Sequence, residues 1–120
     1  MKRDLELIRG LLAEIEAMPP DTLYETESSS LAALDVLAEH MRLLEEAGFV
    51  RKVTRDRSAN SMCRGLTWQG HEFLAATRSD TVWKKTKEFF REKLLSMSGV
   101  PLHVLQEVCV SVARDELGLD

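Results

Sequence analysis

The chain of 120 residues has only two cysteines, Cys63 and Cys109. That is too few for a disulfide framework, and it reads as a cytoplasmic protein with reduced thiols. No apolar run approaches the roughly 20 residues that span a bilayer, so no membrane partner is expected. The opening Met1-Lys2-Arg3-Asp4 leads into a charged amphipathic pattern and not into the apolar stretch of a secretory leader. Catalytic signatures are also missing. The histidines His40, His71 and His103 are dispersed, His71-Glu72 has no second histidine at zinc-hydrolase spacing, and there is no phosphate loop and no Gly-x-Ser-x-Gly turn. A Cys63–His71 pair across one turn is the nearest approach to a nucleophile and its base. The expectation is therefore a non-enzyme with no metal and no cofactor.

What is present is enough apolar residue, 44%, for one core, and a total charge of −4 that is unevenly spread. Arg51, Lys52, Arg55, Arg57 and Arg64 surround a single acid, Asp56, for a local charge of +4. Lys84, Lys85, Lys87, Arg91 and Lys93, with Glu88 and Glu92, carry +3, so the rest of the chain carries −11. An acidic body with two basic segments favours local contact with a polyanion over indiscriminate binding. The second segment also reads simply as the solvated face of a helix.

Periodicity predicts a helix over residues 2–17, where Leu5, Ile8, Leu12 and Ile15 share a face widened by Leu7 and Leu11. Pro19-Pro20 stops it. Residues 21–30 read as loop with room for one helical turn. A second helix over 31–47 turns Leu34, Leu37, Ala38, Met41 and Leu44 inward and Asp35, Glu39, Arg42 and Glu46 outward, and Gly48 closes it. Residues 49–68 read as a β-hairpin. Its strands are Phe49–Arg55 and Met62–Trp68, its tip is Ser58–Ser61, and Asn60 is the residue suited to positive φ. Met62, Arg64, Leu66 and Trp68 would share one face, with Cys63 and Thr67 on the other. Helices follow over 70–78, 81–96 and 101–117, the last begun by Pro101 and striped by Leu102, Leu105, Val108, Cys109 and Val112. Cys109 reads as a buried small hydrophobe, Trp68 and Trp83 as core anchors, Met62 and Met97 as packing residues, and His71 as a cap.

Helix, loop, helix closed by glycine, and basic hairpin is the order of a winged helix-turn-helix domain. His40-Met41-Arg42-Leu43-Leu44-Glu45-Glu46-Ala47-Gly48-Phe49-Val50 resembles the end of a recognition helix leading into a wing. Leu66-Thr67-Trp68-Gln69-Gly70-His71-Glu72-Phe73-Leu74 resembles the wing's close. With Met1–Arg9 and Asp80-Thr81-Val82-Trp83-Lys84-Lys85-Thr86-Lys87, these phrases resemble a family of small uncharacterised bacterial and prophage proteins, known as a domain of unknown function. The resemblance implies a phage or mobile-element setting and no particular activity.

The expected architecture is mainly α with a small β-hairpin (α+β). It comprises a winged-helix-like region over 1–78 and a C-terminal helical extension over 79–120, packed as one structural unit. The expected function is binding of double-stranded DNA by a small regulator. Arg51, Lys52, Arg55, Arg57 and Arg64 would lie on the backbone, with His40 beside them on the helix. That helix also offers Asp35 and Glu39, which repel phosphate, so the wing is the easier surface to defend. The competing expectation is a protein-interaction module without DNA binding. In it Phe89, Phe90, Leu94, Leu105, Val108 and Val112 would pair two copies into a homodimer.

Overall fold

A computed structural model describes residues 2–119. The chain is mainly helical with a small antiparallel sheet. Helices α1 (Leu5–Glu16), α2 (Leu34–Glu46), α3 (Trp68–Thr77), α4 (Asp80–Glu92) and α5 (Leu102–Glu116) surround strands β1 (Tyr24–Glu25), β2 (Thr54–Arg55) and β3 (Ser61–Cys63). Both pairings are antiparallel and β3 is central, in the order β1-β3-β2.

Helix α1 is the spine of the core. Leu7, Ile8, Leu11, Leu12 and Ile15 are all buried, as their spacing predicts. Asp4 caps it by accepting the Leu7 N–H at 3.1 Å. Leu37, Met41 and Leu44 of α2, Phe73 and Leu74 of α3, Trp83 and Phe90 of α4, and Leu105 and Cys109 of α5 complete one continuous cluster. Phe90 and Leu105, expected at an interface between copies, are thus used inside the chain. Phe89 and Leu94 remain exposed.

Side-chain caps set the later helix starts. Thr67 accepts the Gly70 N–H at 3.0 Å, so α3 begins at Trp68 and not at residue 70. Trp68 is therefore a first-turn helical residue, 75% exposed, and not a core anchor. Ser79 caps α4. That helix ends at Glu92, before the expected residue 96, because Leu94 adopts φ 56° and the chain leaves through a left-handed turn.

Two further expectations change. Residues 21–30 contain one helical turn as expected, a 3-10 turn (Thr26–Ser28), and also a strand, because buried Tyr24 pairs opposite Cys63 and donates its hydroxyl to Glu14 at 2.7 Å. The hairpin is also more broken than its sequence suggests. Lys52 at φ 53° and Gly65 at φ 126° interrupt the two strands, leaving β2, β3 and an isolated Val50–Leu66 bridge. Gly65 also breaks the alternation, so that Cys63 and Leu66 both point inward while Arg64 stays out.

Contacts at two seams fix α1, α3 and α4 in place. Trp83 donates its indole N–H to Glu6 at 2.6 Å, and the Arg9 guanidinium lies 4.6 Å above the Trp83 ring while its Nε donates to the Thr77 carbonyl at 2.9 Å. At the other seam Gly70 rests on the backbone of Phe49. A Cβ there would sit 2.1 Å from the Phe49 carbonyl oxygen.

Burial by itself would raise the Glu6 carboxyl. The Trp83 N–H and the charges of Lys87 and Arg9 outweigh it and hold the group below its ordinary value. A carboxyl depressed by folding contributes stability above its unfolded value of roughly 4.3, and that contribution is lost as pH falls through the lower, folded value. Glu6→Gln is expected to make the acid limb of stability shallower, read as urea midpoints across about pH 6 to pH 3. Gly70→Ala is expected to lower the melting temperature by on the order of 10 °C, because backbone and not a flexible side chain blocks the added methyl.

Candidate nucleic-acid interface

The root and inner strand of the ribbon are anchored by buried Val50, Cys63 and Leu66, whereas Thr54 and Arg55 of β2 are both exposed. Polar contacts hold the outer part. Asn60 is buried and is not the residue at positive φ; its neighbour Ala59 takes that position at φ 68°. The Asn60 side-chain oxygen accepts the Glu27 N–H at 2.9 Å and the Thr26 hydroxyl at 3.3 Å, and its amide nitrogen donates to Glu25 at 3.2 Å. Thr26 in turn accepts the Ser61 N–H at 2.9 Å. The tip is closed by Asp56, which accepts from the Ser58 N–H, the Ser58 hydroxyl and the Asn60 N–H. The Ser58 hydroxyl leads the contacts that keep the Asp56 carboxyl below its ordinary value. On the opposite edge, the Val53 N–H donates to Glu45 of α2 at 2.7 Å.

This scaffold displays the five basic residues in three places. Arg51, Lys52 and Arg64 gather with Asp21 around a hollow at the ribbon's root. Arg55 borders a recess against α2, beside Glu39, Arg42 and Glu45. Arg57 stands at the tip. All five are exposed, and none forms an ion pair among the described residues. Elsewhere five of the cations are paired. Arg9 holds Glu6 and Asp80, Arg42 holds Glu39 and Glu46, Arg78 holds Glu16, Lys85 holds Glu116, and Lys87 holds Glu6. The second basic segment is therefore partly spent on the protein's own acids.

His40 does not belong to this surface. It is buried, and a backbone N–H, which can only donate, points from Asp4 to its Nε2 at 2.9 Å. Nε2 must accept, so Nδ1 carries the hydrogen and donates to the Val36 carbonyl at 2.9 Å. Its helical position placed it near the exposed face, but the start of α1 covers it. The outward face of α2 then offers Asp35, Glu39 and Glu46, with Arg42 already engaged.

Cys63 and Cys109 are free and buried, and burial pushes both thiols up, away from the thiolate form a nucleophile needs. His71 is exposed and faces Glu16 at 3.8 Å. No group of three metal-ligating side chains occurs among the described residues. No described helix is long and apolar enough to cross a membrane.

A family described as hypothetical protein (DUF2513) matches residues 2–96. The chain belongs to this family. A Haemophilus influenzae protein, described only as uncharacterised, is 34% identical over 127 residues, covering 98% of this chain and 99% of the relative. The DUF2513 match takes in the ribbon, its clamp and α4 but stops before α5, which the Haemophilus relative spans. No solved structure matches.

Sequence reasoning found the five cations but not the clamp. The Asp56-x-Ser58 turn has a local signature, whereas Thr26 and Asn60 lie 34 positions apart and only the fold joins them. Asn60→Ala removes the acceptor of one buried donor and one backbone N–H. It is expected to cost about 1–3 kcal/mol in urea unfolding. Hydrogen exchange should then quicken first at the amides of residues 54–63.

Proposed function

We propose that this protein is a small winged-helix-type regulator with no catalytic role, which grips double-stranded DNA by its backbone through the basic ribbon. The observation that carries this reading is the contrast in pairing. Five cations of the body hold carboxylates, while none of the five on the ribbon does so among the described residues. Unpaired guanidinium and ammonium groups on a low-acid ridge are what phosphate contact requires. The order of helices and strands, with β3 between β1 and β2, has the connectivity a winged helix needs and supports that assignment. Two buried free thiols suit a reducing, cytoplasmic compartment.

The same geometry argues for a particular kind of binding. Helix α2 presents carboxylates where a recognition helix would present donors, and His40 is sequestered. Phosphate contacts position a protein and read no sequence directly. Affinity should therefore vary little between unrelated duplexes and depend strongly on salt. Neutralising three to five phosphates gives a slope of log affinity against log salt of roughly −3 to −4.5. Arg55→Ala with Arg57→Ala should weaken binding and flatten that slope by about 2, measured by fluorescence polarisation. An unchanged slope would remove the ribbon from the interface.

A second reading, a protein-interaction module, is favoured by one feature of the C-terminal half. Leu94 is 92% exposed at a left-handed position where glycine is the low-cost residue, with Leu95 and Phe89 also exposed nearby in sequence. Absence of duplex binding at low salt, together with a concentration-dependent dimer by light scattering, would transfer the case to that reading.

A further inference from the structure

The hollow at the ribbon's root has a shape that duplex binding does not use. Two adjoining concavities of about 250 and 230 Å³ share Asp21, Arg51 and Arg64. Lys52 completes the smaller one. The larger is walled on its other side by Pro19, Pro20 and His71. Three cations face one nearby carboxylate there, a balance of +2. The other acid, Glu16, is already held by Arg78 and faces His71.

The backbone around this hollow is unusual. Asp21 at φ 62°, Lys52 at φ 53° and Gly65 at φ 126° all border it, and two of these carry side chains that make the conformation costly. The absence of a side chain at Gly65 has a direct use. The Arg51 guanidinium lies 3.3 Å from where a Cβ would be and donates to the Arg64 carbonyl at 3.3 Å. One N–H thus anchors the fork across the strand end, and the remaining donors are left for a ligand.

We propose that this cleft is a binding site for a phosphomonoester, with Arg51, Lys52 and Arg64 on the phosphate and the Pro19-Pro20 wall beside the group that carries it. A terminal phosphate bears close to two negative charges at neutral pH, matching the balance of the site. A diester in a strand bears one and runs along a surface instead of projecting from it. The flank of a duplex does not enter a hollow of this size, whereas a strand end or a free nucleotide does. The site shares cations with the duplex reading and does not depend on it.

The test uses the full chain and calorimetry at low salt, with one single-stranded oligonucleotide prepared with a 5′-phosphate and with a 5′-hydroxyl, and with adenosine monophosphate as a third probe. The phosphorylated strand should bind at least about tenfold more tightly than its hydroxyl twin, as expected for charged hydrogen bonds to one group. Arg64→Gln, at an exposed position, should abolish that preference without changing the melting temperature. Arg51→Lys, which keeps the charge and loses the fork, should reduce it, and Arg91→Gln on α4, outside the ribbon, should leave it intact. Binding of adenosine monophosphate in competition with the strand identifies a free nucleotide as a ligand. Binding of the strand alone identifies a nucleic-acid end, and both support the site. Equal affinity for the two strands, a preference that survives Arg64→Gln, or no binding of any probe overturns it. A blunt duplex with hydroxyl ends reads the ribbon's grip separately, so failure of one reading is not mistaken for failure of the other.

Discussion

Burial of Val50, Cys63 and Leu66 holds the root and inner strand of the ribbon to the body, but toward the tip, where Thr54 and Arg55 are exposed, burial gives out. There the buried amide of Asn60 holds the ribbon in place. It faces a hydroxyl, a backbone N–H and a carboxylate at once, and each partner comes from the segment Glu25–Glu27. Such a network is worth having only when every member is satisfied, and no buried side-chain nitrogen or oxygen is orphaned among the described residues. The display of the basic side chains depends on this clamp, because it is what gives them a fixed frame.

Charge in this molecule is sorted by pairing more than by amount. Five cations of the body sit on its own carboxylates, some of them bridging helices, such as Arg78 on Glu16 and Lys85 on Glu116. Exposed pairs of this type contribute little stability individually. Each still pairs off one positive charge of the body, whereas the five cations of the ribbon carry no such pair among the described residues.

Much of the helical frame was legible in the sequence. The stripes of α1, α2 and α5, the stop at Pro19-Pro20 and the cap at Ser79 are local patterns, and local patterns survive folding. The errors came where a distant partner decided the outcome. His40 looked exposed because periodicity knows nothing of Asp4. Residues 21–30 read as loop with one helical turn, and the strand there was missed, because a two-residue strand is defined by its partner, Cys63, and not by its own composition. The exception is Trp68, misread as a core anchor for a local reason: the Thr67 cap starts α3 at Trp68 and leaves the ring exposed on the first turn. The cations of the proposed interface were visible as a charge run. Their division into a root cluster, a recess beside α2 and a tip was not, because that division follows from the bends at Lys52 and Gly65.

The packing of Gly70 against Phe49 has a mechanical meaning. Two stretches of main chain touch there with no side chain between them to act as a cushion, and the Thr67 hydroxyl reaches across the same seam to the Gly48 carbonyl. The root of the ribbon and the first turn of α3 therefore behave as one rigid piece. Helix α3 in turn packs against α5, so the ribbon's root is continuous, through direct packing, with the C-terminal helix.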